Sequence, residues 1–207
     1  MNYFIITMTK IYWIISLFTI AGIVLLGTWY VRNGLQIKLV STYQSNVVSD
    51  ECFLYQTNFR LNTKMRGQTA LDISCEKSGK KLSLSELVQN GPVLVYRYSD
   101  VNCSACVENE FHTLRQYFKN NTEKVAILCS YERESDIDGF RRTNLLKYPI
   151  YKAEMKAFSW DADLYDRPYY FILYPDMKVS DFYIPAMEFP EESKEYLAGV
   201  ERLIAGS

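Results

Sequence analysis

Residues 93–118 read VLVYRYSDVNCSACVENEFHTLRQYF, and this stretch decides how the chain folds. Asn90-Gly91-Pro92 breaks the chain just before it. Val93 to Tyr98 then crowds β-branched and aromatic residues together, the composition of a buried strand. From Ser104 the period changes. Val107, Phe111, Leu114 and Phe118 fall at i, i+4, i+7 and i+11, one helical stripe facing a core. The order is strand, short loop, helix, with Cys103 and Cys106 where loop becomes helix.

That placement carries chemistry. A thiol at a helix N-terminus faces unpaired backbone N–H groups and the positive end of the dipole. Both favour thiolate, which makes Cys103 the expected nucleophile. Cys106 lies one turn deeper and is expected to resolve a mixed disulfide formed at Cys103. Zinc ribbons and haem attachment sites share the C-x-x-C spacing. Haem attachment needs His directly after the second Cys, where Val107 stands. Zinc needs two further ligands, and Cys52, Cys75, Cys129 and His112 form no second closely spaced pair. The expectation is redox chemistry with no metal and no organic cofactor.

Outward from this unit the chain alternates. Ser83 to Val88 predicts a short helix with Ser83 and Glu86 at capping-box spacing. Lys124 to Ser130 predicts a second buried strand that makes Cys129 a structural thiol, and residues 133–147 predict a helix with Ile137, Phe140, Asn144 and Leu145 on one side. Tyr169 to Tyr174, a Pro175-Asp176 turn and Lys178 to Ile184 predict an antiparallel hairpin. A last helix spans Glu191 to Ile204, with Leu197, Val200 and Ile204 inward. His112 falls away from the apolar stripe, on solvated surface. Upstream, Leu35 to Val40 and Cys52 to Leu61 alternate loosely and predict short strands. Mixed order of this kind suits an α/β sheet with helices on both faces.

Ile11 to Val31 contains no charge, is bracketed by Lys10 and Arg32, and carries Trp13, Trp29 and Tyr30 near its ends. About 20 such residues cross the hydrocarbon core, and no Ala-x-Ala-like exit marks a cleaved signal. The expectation is one N-terminal transmembrane helix, with an anchor at 1–32, a linker with an extra β-hairpin at 33–75 and a globular domain at 76–207. Charge flanks are nearly tied and do not set its orientation. Overall, 23 basic against 24 acidic residues argues against a nucleic-acid partner. With 48% hydrophobic residues the chain is not intrinsically disordered. Cys52 and Cys75 are candidates to pair in an oxidising compartment.

Residues Gly79 to Phe118 resemble the thioredoxin superfamily, in particular its membrane-anchored thiol–disulfide oxidoreductases of the cytochrome c maturation type. The shared features are an N-terminal anchor, the lead-in Lys81-Leu82-Ser83-Leu84, a strand, C-x-x-C and a helix. Arg167-Pro168-Tyr169 resembles the family's cis-proline loop, which implies substrate-binding roles for Arg167 and Pro168. The resemblance implies a thioredoxin-like mixed sheet over about residues 76–205, client-protein thiols or disulfides as substrates, an upstream redox donor protein, and an extracytoplasmic domain working more as a reductant. The sequence departs from the pattern at three points. Asn102 replaces a common Trp. Arg97 replaces a buried Asp, and either stabilises the thiolate from inside or stands in solvent. Asn109 replaces a Glu, leaving Glu108 and Glu110 as candidates for tuning the thiols. Two rival readings remain: a peroxiredoxin-like peroxidase, with Ser99 and Arg97 assisting Cys103, and a non-catalytic sensor or scaffold on the same fold.

Overall fold

The computed structural model describes residues 25, 26, 28–32, 50–158, 160–164 and 167–205, and the chain divides into two units, Met1–Cys52 and Phe53–Ser207. In the first unit the described residues are helical and exposed. The apolar run Ile11 to Val31 and the strand expected at Leu35 to Val40 lie mostly or wholly outside the described residues. Among the described residues no helix is long and apolar enough to cross a membrane.

The second unit is built on one seven-stranded sheet. Its strands are β1 (Ser74–Lys77), β2 (Lys80–Ser83), β3 (Val93–Ser99), β4 (Val125–Ser130), β5 (Ile150–Lys152), β6 (Tyr169–Leu173) and β7 (Val179–Tyr183). They lie in the order β2-β1-β5-β4-β3-β6-β7. β3, β4 and β5 are parallel neighbours, whereas β6 and β7 continue the sheet antiparallel. The helices are α1 (residues 50–65), α2 (Ser104–Tyr117), α3 (Glu134–Thr143) and α4 (Pro190–Ala205).

Period-2 alternation along β3 divides the core. Leu94, Tyr96 and Tyr98 join Val107, Phe111 and Leu114 of α2, Ile137 of α3 and Leu197, Val200 and Ile204 of α4. Val93 and Val95 face the other way, into a cluster with Leu54, Leu61 and Met65 of α1, Phe158 and Trp160. The sheet is therefore covered on both faces, and its central strands are buried almost end to end.

α1 corrects the strand expected at Cys52 to Leu61. Leu54, Asn58, Leu61 and Met65 recur at i, i+4, i+7 and i+11 and are all buried, so the helical period wins. Phe53, Tyr55 and Phe59, which suggested alternation, are exposed. The helix also closes the sheet. Asn58 Nδ2 donates to Ile184 O and its Oδ1 accepts from Ile184 N–H (3.2 and 2.7 Å). Asn62 does the same at Phe182 (2.8 and 2.7 Å). Further along the same edge, Gly67 N–H donates to Val179 O, Val179 N–H to Gln68 O, and Ala70 N–H to Met177 O. Side-chain amides and a short backbone run thus occupy the outer groups of β7, which would otherwise be an open template.

Two further differences are local. A hairpin, β1–β2, lies almost wholly past the 33–75 segment where an extra one was expected, and is joined by Ser78 and Gly79, both at positive φ (53° and 75°) as a two-residue primed turn demands. The helix expected over 133–147 stops at Thr143. Leu145 adopts φ 50° and is 75% exposed, because the chain must turn there to enter the three-residue strand β5.

Candidate active site

α2 begins where β3 ends, and Cys103 is its N-cap. The loop between them is fixed by Asn102, whose Oδ1 accepts the Ser99 N–H at 2.7 Å while its own N–H donates to Ser99 O at 3.1 Å. Cys103 is exposed and Cys106 half-buried, and both are free thiols. The Cys103 thiol is held below its ordinary range chiefly by hydrogen bonds to its sulfur from the Cys106 S–H and the Cys106 N–H, with the Ala105 N–H adding to them. Cys106 is pushed up to about 11, first by burial and then by its bond to Cys103. The outer sulfur ionises first and the inner one keeps its proton, the asymmetry that attack followed by resolution requires.

A cleft of about 270 Å³ opens on this pair and is lined by Cys103, Cys106, Glu110, Arg167, Pro168 and Glu188. Glu110 sits four residues after Cys106, on the same helix face. It is 2% exposed and accepts from Tyr170 Oη (3.1 Å) and Ser193 Oγ (3.0 Å). Burial raises its carboxyl above the usual range, and those two bonds offset part of the shift. Glu108 is exposed. Of the two acids named from the sequence, Glu110 reaches the cleft, and the missing signal was helical geometry: i+4 from the second Cys aims inward.

Arg167 is exposed and Pro168 buried at the cleft wall, which brings both to the cysteines. No peptide bond among the described residues is cis, so Pro168 is trans where the resemblance implies cis; trans is the lower-energy form of a prolyl amide by about 0.5–1 kcal/mol. Arg97 is 3% exposed, so it does not stand in solvent. It follows Val93 and Val95 in alternation, away from the face that α2 covers, and its charge acts on Cys75 and Cys129. Glu188 was not singled out in the sequence. It is exposed, lines the cleft and raises both thiols through its negative charge.

The buried thiols Cys75 and Cys129 are poor nucleophiles. Burial pushes Cys75 up to about 11 and Cys129 to about 12, and the Cys129 S–H donates to Tyr151 O. The larger groove beside β1, about 590 Å³, contains only that buried Cys75 among the thiols, so the smaller cleft is the chemical one. His112 is exposed. Among the described residues no group of three or more His, Cys, Asp or Glu is placed to hold a metal.

No protein-family model and no curated protein matches the sequence. Solved structures do match the fold. A thiol:disulfide interchange protein from Bacteroides sp. superposes with a TM-score of 0.51 at 17% identity, over 69% of this chain and 91% of that one. A Chlorobium tepidum protein assigned as thiol:disulfide interchange protein DsbE gives 0.52 at 14% identity, over 66% and 97%. Peroxidoxin BcpB from Mycobacterium tuberculosis gives 0.49 at 18%, over 66% and 97%. At these identities the two superpositions above 0.5 fix architecture and leave chemistry to the site: the second unit has a mixed α/β, thioredoxin-like fold.

Proposed function

We propose that the protein is a membrane-tethered thiol–disulfide oxidoreductase that acts on client proteins in an extracytoplasmic space. The observation that carries this reading is the opposed ionisation of Cys103 and Cys106 at the N-terminus of α2. In the reductive direction the Cys103 thiolate attacks a client disulfide; one client sulfur leaves as thiolate and a mixed disulfide forms. Glu110 takes the Cys106 proton. The Cys106 thiolate then attacks the Cys103 sulfur, the second client thiolate departs, and a Cys103–Cys106 disulfide remains. Two electrons have passed to the client, and a donor protein dithiol restores them. Reduction is favoured by the resemblance; the reverse reaction uses the same atoms, and the potential sets its direction.

Arg167 and Pro168 bound the cleft across from the sulfurs and are assigned to holding the client backbone. The test is trapping. Cys106→Ala accumulates mixed disulfides between Cys103 and client proteins, visible on non-reducing gels, whereas Cys103→Ala accumulates none. Equal adducts from both variants would overturn the assignment of roles.

A further inference from the structure

The inward stripe of α4 runs Ser193, Leu197, Val200, Ile204, at i, i+4, i+7 and i+11, and every member is buried. Its first position holds a hydroxyl where the period calls for an apolar residue, and Ser193 is 0% exposed. A buried hydroxyl is kept by its hydrogen-bond partners. Ser193 Oγ donates to Glu110 Oε1 (3.0 Å) and lies 3.2 Å from Tyr183 Oη. A serine has a single hydroxyl proton. With that proton directed at Glu110, Tyr183 is the donor of the other bond and Ser193 Oγ its acceptor. Glu110 Oε2 accepts from Tyr170 Oη (3.1 Å). Each carboxyl oxygen thus meets a hydroxyl brought from an element distant in sequence: β6 for Oε2, and α4 backed by β7 for Oε1.

Such donors favour the ionised carboxyl and oppose the burial that favours the neutral one. The groups around Glu110 leave that task to them. Tyr96 of β3, Tyr170 of β6 and Tyr183 of β7 are all raised by burial and stay neutral. The cleft adds Cys103, Cys106, Glu188 and the exposed Arg167, and Glu192 of α4 acts on Tyr183 through its negative charge.

We propose that Ser193 is a positioning residue for the resolving step: its hydroxyl, oriented by Tyr183, holds Glu110 as the proton acceptor for Cys106. This rests on the disulfide-exchange reading.

Rapid mixing of the reduced full chain in detergent with dithiobisnitrobenzoate tests it, in a Cys52→Ser background because Cys52 is also exposed. Attack by Cys103 releases one coloured thiolate and leaves the other half of the reagent on Cys103. Attack by Cys106 on the Cys103 sulfur releases the second and closes the Cys103–Cys106 disulfide. In the parent chain the second release accelerates with pH as Glu110 ionises. Ser193→Ala is expected to displace that rise upward by about one pH unit, with the rate approaching the parent plateau at alkaline pH. Glu110→Gln flattens the rise, and adding Ser193→Ala to it slows the step no further. A parent profile in Ser193→Ala, a loss by the same factor at every pH, or an added loss on top of Glu110→Gln would overturn the role of Ser193 and leave disulfide exchange intact. A parent chain that gives no second release would overturn both. Should Ser193→Ala fail to fold, Tyr183→Phe decides: a smaller upward displacement supports the chain of hydroxyls, and an unmoved profile refutes it.

Discussion

Glu110 shows how one residue couples stability to chemistry. Burial lifts its folded-state carboxyl above the unfolded value of about 4.3. The protonated form is thus the one the fold prefers, so this stabilisation is complete below about pH 4.3 and lost as pH rises through the folded value. Glu110→Gln, which never ionises, is expected to match wild type in thermal unfolding at pH 4 and to exceed it at pH 8; about 2–4 °C corresponds to 1 kcal/mol for a chain of this size. The same variant loses the proton acceptor for Cys106, and resolution of a preformed mixed disulfide should slow about 10²-fold. Wild-type resolution by Glu110→Gln would remove the acid from the mechanism. At this scale the cysteine pair was legible in the sequence, because its spacing and its strand–helix context stand in consecutive residues. Glu110 was half legible, since Glu108 competed with it until helix phase separated them. Arg97 stayed open between two placements because a strand's alternation does not say which face meets α2.

Among the elements, α1 does a task usually left to a strand. Asn58 and Asn62 each satisfy one N–H and one C=O of the β7 edge, next to residues of which Phe182 is 0% and Ile184 2% exposed. Removing either amide leaves two buried backbone groups unpaired, and each such group costs about 1–3 kcal/mol. Asn58→Ala and Asn62→Ala are therefore expected to lower urea-unfolding stability by a few kcal/mol each; a loss under about 0.5 kcal/mol, ordinary for a surface change, would show that the pairing is incidental. Strand β3 and helix α2 were readable because each holds one period over several turns or pleats. α1 was misread as a strand because Phe53, Tyr55 and Phe59 are apolar yet exposed, which blurs the 3.6-residue pattern. β5 spans only Ile150–Lys152, too short for any period, and exists through its neighbours β4 and β1.

For the molecule as a whole, the proposed function makes the protein a catalyst confined to a surface by the apolar run Ile11 to Val31. Such a chain should stay with membranes through alkaline carbonate extraction, and removal of residues 1–32 should release a folded domain; extraction of the full chain at high pH would sink the tether. Architecture was largely legible at this scale, since strand–helix alternation dictates a two-faced sheet, while the division between linker and domain was not, because α1 contributes to the core from before the expected boundary at residue 76. That contribution has a consequence for any shortened form. A fragment beginning at residue 76 keeps both sulfurs but sheds the amides that occupy the last strand, and its bare rim would be free to recruit a second molecule, then a third. Proteolytic clipping within residues 66–73 would bare the same rim once the severed α1 had dissociated.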